Sequence, residues 1–390
     1  MTRTTGVDVL VVGGGINGCG VAQAAAAAGY SVALLERKAL AAGTSGRSSK
    51  LVHGGLRYLE GGHLRLVYES LRERRQLLRL APDLVRPVPF HIPVYGDTSR
   101  PAWKVATGLT LYALLAGITP LARFSIVPRR RWDELDGLKL DGLKRVFRYW
   151  DAQTDDAALT RAVWRSAESF GATSIFPATL IAVESSADGV AVRYRQGDAE
   201  HSLTAGVLVN AAGPWVNEIL KLVSPTPMRL PIALVQGTHI VLPGRLQRGV
   251  YYTEAADRRV VFVMPWQDRT LVGTTETVVA NPADVGPRAK EIDYLLAVYR
   301  RYFPRGDATV LESFSGLRVL PAGVGAAFGR SREVVLHVDG DVAPRVLTIY
   351  GGKLTAYRAT AGKVLRYLGR MLGGRGGGIS TSELPLTADD

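Results

Sequence analysis

Apolar positions fall into two rhythms along this chain. Residues 7–12 form a short apolar run, Val7, Val9, Leu10, Val11 and Val12, suited to a parallel strand buried on both faces. Alanine-rich residues 21–28 predict a helix ending at Gly29, and 31–35 predict a second strand closed by Glu36. Residues 63–81 have the helical period: Leu64, Val67, Tyr68, Leu71 and Leu78 share one face. The other face carries Arg65, Arg72, Arg74, Arg75 and Arg79, which reads as solvated, with an anionic membrane surface as the sharper alternative. Residues 82–101 hold five prolines and predict irregular chain or an edge strand. Strands are expected at 173–184, 190–195, 206–212, 231–242, 259–265, 270–275 and 346–350, and helices at 156–170, 291–303 and from about 353 to 372. Residues 373–390 are glycine-rich and then polar, which predicts a flexible tail.

The pattern is that of an α/β protein. At 390 residues it exceeds a single core, so two units are expected. With 47% apolar and 21% charged residues the chain can bury a core, and disorder is excluded. One cysteine excludes a disulfide framework and a cysteine-based metal site within one chain, and no metal is expected. The net charge of +13 points to anionic partners: small anionic substrates or lipid headgroups. Zinc-finger spacing and RNA-binding aromatic motifs are missing, so nucleic acid is not an expected partner. Residues 105–122 run 18 positions without a charge, at the lower edge of transmembrane length. A buried helix, an interfacial helix and a span all fit that run.

The run 7–12 leads into Gly13-Gly14-Gly15-Ile16-Asn17-Gly18, and a helix follows. Gly13, Gly15 and Gly18 permit a tight turn and close approach of backbone to a pyrophosphate at the helix N-terminus. Glu36 stands 23 residues after Gly13, where a carboxylate bonds a ribose hydroxyl; an acid there disfavours a 2′-phosphate. The chain then gives a Ser/Gly-rich loop rather than regular helix–strand alternation, and it has a single fingerprint. Both favour FAD over NAD.

That loop reads Thr44-Ser45-Gly46-Arg47-Ser48-Ser49-Lys50-Leu51-Val52-His53-Gly54-Gly55-Leu56-Arg57-Tyr58-Leu59. It is followed in order by Arg100-Pro101-Ala102-Trp103, Asn210-Ala211-Ala212-Gly213-Pro214-Trp215-Val216, Gly237-Thr238-His239, Val261–Trp266, Gly273-Thr274-Thr275, Ser315-Gly316-Leu317-Arg318 and Gly351-Gly352-Lys353-Leu354-Thr355-Ala356-Tyr357-Arg358. This series resembles the FAD-dependent glycerol-3-phosphate dehydrogenase family over about residues 6–370. The resemblance implies a Rossmann-like FAD-binding domain of 1–88, 140–222 and 318–372. It also implies an inserted substrate domain with a mixed or antiparallel sheet, 89–139 and 223–317. It implies non-covalent FAD, oxidation of sn-glycerol 3-phosphate to dihydroxyacetone phosphate, and quinone as electron acceptor. The location implied is peripheral, at the cytoplasmic face of the inner membrane, and a homodimer stays open. Family members continue with a C-terminal helical domain, which this chain, reaching Glu383–Thr387 about where it would begin, is expected to lack. Gln236 stands where close bacterial relatives carry lysine, and loss of that cation is expected to reshape the site.

The reaction needs a base for the hydroxyl proton and cations for a phosphate. The resemblance assigns Arg57, Arg318, Arg330 and Lys353 to substrate, with Arg332 a rival for Arg330, and Tyr58 and Thr355 as donors. His239 is the expected base, with His53 the rival in the loop of Arg57; Arg318 and Lys353 complete the catalytic set. Expected at the cofactor are Gly13, Gly15, Ile16, Asn17, Gly18, Glu36, Thr44, Ser45, Ser48, Ser49, Lys50, His53, Gly54, Gly55, Ala212, Gly213, Trp215, Gly352, Lys353, Leu354 and Thr355. Cys19 is read as a packing residue. The alternatives are a glycerol-3-phosphate oxidase using O2, an FAD-dependent oxidase of an amine or hydroxy acid, and a truncated flavoprotein without catalysis.

Overall fold

The computed structural model describes residues 6–322, 333–340, 343–375 and 378–388. The β-branched run near the N-terminus becomes strand Gly6–Val12, with Val9, Leu10 and Val11 fully buried. It pairs in parallel with Val32–Leu35 on one side and with Ala199–Asn210 on the other. Strand Val346–Tyr350 joins the far side of Ala199–Asn210, also in parallel. A parallel centre of this kind needs both faces covered. Helices α1 (Ile16–Ala27), α2 (Leu64–Leu80), α3 (Ala102–Ala116), α4 (Asp156–Glu168), α5 (Val216–Leu220), α6 (Ala289–Tyr302) and α7 (Tyr357–Leu372) follow in chain order. Of these, α1, α4 and α7 contribute to the core over one face, with Ala22, Val163 and Val364 among its fully buried side chains.

The second sheet is mixed and mainly antiparallel. Its central strand, Ile232–Leu242, pairs antiparallel with Glu312–Pro321 along ten positions and with Arg269–Gly273. Strand Val85–Tyr95 pairs with Leu143–Thr154, and Phe90 and His91 meet Val250 and Tyr251. The proline-rich segment is therefore an interior strand, engaged on its second side only at those two positions. Residues 143–154, expected in the FAD-binding part, form this second sheet instead, where they also pair with Leu51–Val52.

Two further expectations change. The arginines of α2 are not one solvated face: Arg74 is buried and paired with Asp151, while Arg65, Arg72, Arg75 and Arg79 stay exposed. The uncharged run 105–122 is helix α3 followed by a turn at Pro120–Ala122. Val105, Leu109 and Tyr112 face inward, and Trp103, Leu114 and Ile118 are exposed. Among the described residues no helix is long and apolar enough to cross a membrane.

The expected flexible tail packs instead. Leu384 and Leu386 are buried, the Leu386 amide donates to Leu80 O at 2.7 Å, and the Ile379 amide donates to Ala27 O at 3.0 Å. Arg358 holds Glu73 on α2 and Thr381 in the same segment. Truncating a buried leucine leaves a cavity costing about 2–5 kcal/mol in a core, and about 2 at this rim. Leu386→Ala should therefore lower the unfolding free energy by about 2 kcal/mol in urea titration; an unchanged midpoint would show that the segment contributes no packing.

Candidate active site

The turn after Gly6–Val12 is built tightly. The Gly13 amide donates to Leu35 O at 2.8 Å, and a Cβ at Gly13 would fall 2.7 Å from Ala211 O. The Gly14 amide donates to Glu36 Oε2 at 2.7 Å, and the Ile16 amide to Ser45 Oγ at 2.9 Å. From this turn a cavity of about 820 Å³ runs to the second sheet. Gly13–Asn17, Glu36, Arg37, Thr44, Ser45, Arg47, Ser48 and Ser49 line it, together with His239 and Arg318 of the second sheet.

Most of the expected site residues meet in this cavity. Gly13, Gly15, Ile16, Asn17, Glu36, Thr44, Ser45, Ser48, Ser49, His53 and Gly55 line it, as do Ala212, Gly213, Trp215, Gly352, Leu354 and Thr355. So do Arg57, Tyr58, His239, Arg318 and Lys353. Arg330 and its rival Arg332 lie outside the described residues.

Four expectations are corrected. Gly18 is not a lining residue: a Cβ there would sit 1.9 Å from Gly13 O, so its role is helix-to-turn packing. Lys50 points behind the loop, where its ammonium meets Asp156 at 2.5 Å and Gly46 O at 2.8 Å. Gly54 presses against Tyr112 and Leu71 rather than the cavity. Gln236 faces the opposite side of its strand, donating to Glu291 at 2.7 Å and to Gly286 O at 2.8 Å. Against burial, which pushes its carboxyl up, hydroxyls of Thr277, Thr238 and Thr275 and the Gln236 amide hold Glu291 below the usual range. The Gln236 side chain thus belongs to a buried network under α6 and does not line the cavity.

The cationic side chains are organised by aromatic and carboxylate groups. Lys353 Nζ lies 3.9 Å from the Tyr58 ring centroid and the Arg57 guanidinium 5.9 Å from it, so both cations gather on one ring. Arg318 donates to Glu276 at 2.7 Å and to Thr275 O at 2.8 Å. It lies flat on strand Ile232–Leu242 because position 237 is glycine; a Cβ there would be 2.5 Å from its terminal nitrogen. Glu276, Arg259, Tyr252 and Phe262 also line the cavity and were not named as site residues from the sequence. Phe262 lies in the motif Val261–Trp266, and Glu276 directly follows Gly273-Thr274-Thr275; Arg259 and Tyr252 carried no motif signal.

His239 is buried, stacked on Phe314 at 5.0 Å and 15°, with Nε2 2.9 Å from Ser49 Oγ. A Cβ at Gly273 would lie 2.0 Å from its ring, so glycine is required beside it. Burial first, then Arg318 and Lys50, lower its pKa to about 3, which keeps the imidazole neutral. Cys19 is buried, and burial pushes its thiol well up, as for a packing residue.

An elongated dinucleotide fits these features. A carboxylate, a glycine-walled turn and a set of cations line one continuous cavity. Beside that turn Asn17 Oδ1 is buried and meets no partner among the described residues. A Cβ at Gly352 would fall 2.8 Å from the Asn17 amide, so backbone closes this wall. A family model described as FAD dependent oxidoreductase matches residues 8–358. The chain belongs to that family. The cofactor of this flavoprotein is FAD. Over 97% of its length the flavoprotein is 38% identical to D-erythritol 1-phosphate dehydrogenase of Brucella abortus, covering 76% of that protein. Over 93% it is 39% identical to glycerol-3-phosphate dehydrogenase of Pseudomonas aeruginosa, covering 71% of it. Among solved structures, glycerol-3-phosphate dehydrogenase from Bacillus halodurans complexed with FAD matches with TM-score 0.78 and 26% identity, over 99% of this chain and 68% of that one.

The buried histidines set a pH dependence. His239 at about 3 and His91 at about 4 both stand below the unfolded value of about 6.5, His91 chiefly through burial. Below that value the unfolded chain binds protons that the folded chain refuses, so stability falls as pH drops from about 6.5 toward 4. His239→Asn should flatten that slope in urea titrations at stepped pH. An identical slope would show that His239 protonates equally in both states.

Proposed function

We propose that this flavoprotein oxidises a short polyol phosphate, sn-glycerol 3-phosphate foremost, at the carbinol carbon, giving dihydroxyacetone phosphate. The observation that carries this reading is that Arg57, Arg318 and Lys353 line the same cavity as His239, with Arg57 and Lys353 on one tyrosine ring and Arg318 near enough to depress the His239 pKa. Three cations lining one cavity suit a phosphate of about −2 charge better than a single carboxylate. The Pseudomonas relative, named for glycerol 3-phosphate, supports it. The Brucella relative, named for the four-carbon D-erythritol 1-phosphate, favours a longer polyol phosphate as the second reading.

FAD, when bound, supplies the two-electron acceptor for the hydride. The chain's own residues bind, orient and manage the proton. Arg57, Arg318 and Lys353 hold the phosphate, and Tyr58 and Thr355 donate to the remaining oxygens. His239 takes the hydroxyl proton at Nε2, the nitrogen that meets the cavity-lining Ser49. The imidazole is neutral beforehand, and a phosphate dianion beside Arg318 offsets the cations that depress its pKa. Substrate thereby strengthens its own base.

Arg318→Ala removes one charge-assisted donor and leaves the Glu276 carboxylate facing the cavity without this partner. A bond of that kind contributes about 1.5–3 kcal/mol, so kcat/KM for glycerol 3-phosphate should fall at least about tenfold. The parental protein should bleach its flavin anaerobically with glycerol 3-phosphate and hardly at all with glycerol. An Arg318→Ala protein of unchanged kcat/KM, or equal bleaching by glycerol, would sink the phosphate assignment. Adding erythritol 1-phosphate to the same assay ranks the two readings.

We further propose a quinone acceptor and peripheral attachment at the cytoplasmic face of the inner membrane. Trp103, Leu114 and Ile118 offer an apolar surface, and exposed Arg65, Arg72 and Arg123 surround it in sequence. Each basic residue near an anionic surface contributes about 1 kcal/mol, screened by salt. Binding to anionic vesicles should be strong at low salt, and Trp103→Ser with Leu114→Ser should weaken the salt-resistant part. Failure to bind at low salt would refute the attachment.

A further inference from the structure

Behind the cationic side chains stands a buried cluster that touches neither substrate nor cofactor space. Asp151 is 1% exposed and receives Arg74 at 2.5 Å. The Tyr112 hydroxyl donates to the same carboxylate at 2.8 Å and accepts from the Gly54 amide at 2.9 Å. The Gly54 amide also reaches Asp151 Oδ1 at 3.2 Å. Tyr112 of α3 and Asp151 of strand Leu143–Thr154 thus converge on one backbone amide, and Arg74 of α2 holds Asp151. Taking an ion pair out of water is expensive, and well-packed apolar residues would serve stability as well or better. The cluster is therefore read by what it holds.

Gly54 is followed by Gly55, whose φ of 79° lies in the left-handed region, and by the 3₁₀ turn Leu56–Leu59. That turn carries Arg57 and Tyr58, and Tyr58 gathers Lys353. A side chain at 54 would collide with the Tyr112 hydroxyl at 2.4 Å and with Leu71 at 2.5 Å, so the backbone is pressed onto the cluster. Sliding of this amide would carry Arg57 and Tyr58 with it.

We infer that Tyr112, with Asp151, is a positioning residue that fixes the phosphate-binding turn Gly55–Tyr58 through the Gly54 amide. This rests on the phosphate reading of Arg57 and Lys353 given above. Tyr112 lies on the inner face of α3, so it acts through the backbone of another loop and not on the reacting atoms.

The test uses the FAD-loaded full chain and Tyr112→Phe, a change that keeps the ring and its volume. One hydrogen bond is worth about 0.5–1.5 kcal/mol, so apparent Kd for inorganic phosphate by calorimetry should rise about three- to tenfold. KM for glycerol 3-phosphate should rise in step, with kcat and flavin content little changed. Deuterium uptake in the peptide spanning 53–58 should accelerate. Unchanged phosphate Kd with unchanged uptake would overturn the inference. Loss of flavin together with a lowered melting temperature would do so too, because a general packing role predicts that pattern. Arg318→Ala separates the two failures. If it loses phosphate while Tyr112→Phe does not, only the positioning role falls; if neither loses phosphate, the phosphate reading itself falls.

Discussion

Asp151, near the end of strand Leu143–Thr154, and Asp156, the first residue of α4, hold between them the loop on which the site is built. Asp156 takes the Lys50 ammonium and the Ser48 amide, and Asp151 takes Arg74, Tyr112 and the Gly54 amide. Between those anchors Leu51–Val52 pairs with residues of the same strand. Burial pushes both carboxyls up, and only their cationic and hydrogen-bonded partners oppose it. Such pairs add little net stability. What they add is location. An oriented carboxylate accepts from one amide and not its neighbour, so the loop between Gly46 and Gly54 has a single register against the second sheet.

The loop's register decides the electrostatics across the cavity. Ser48 and Ser49 face inward because Lys50 is turned away beneath Trp266 and Phe314. Phe314 in turn carries His239, and burial first, then Arg318 and Lys50, lower the histidine's proton affinity. On the opposite wall the turn after Gly54 presents Arg57 and Tyr58 toward Lys353. The site therefore holds an excess of positive charge around a neutral imidazole. That arrangement is poor for a protonated ligand and good for an anion, whose arrival relieves repulsion among the cations.

Much of this was readable from the residues, and the failures share one cause. The first strand, glycine turn, helix and Glu36 were legible because each obeys a local rule: an apolar run, a sharp turn, an alanine-rich helix, a strand-end acid. Arg74, Lys50 and Gln236 were misplaced because charge and polarity read as exposure or as site chemistry when no partner is in view. Their partners are Asp151, Asp156 and Glu291, each at least 55 positions away. Strand Leu143–Thr154 went unread for a similar reason. Lys144, Arg145 and Arg148 interrupt its apolar positions, and its pairing is settled by Val85–Tyr95, whose prolines disguise a strand. Long-range pairing, invisible to a local window, decided each of these.

The glycines of the motif series carry the remaining lesson. Gly237 and Gly273 fall in segments expected as strands, 231–242 and 270–275. Both do lie in strands of the second sheet, and their work is done across the sheet. Gly237 leaves the space in which Arg318 lies, and Gly273, paired directly with His239, leaves the space for the imidazole. The motif therefore records a steric requirement between neighbouring strands. A long guanidinium and a stacked ring can lie against the sheet only where the adjoining residue has no side chain.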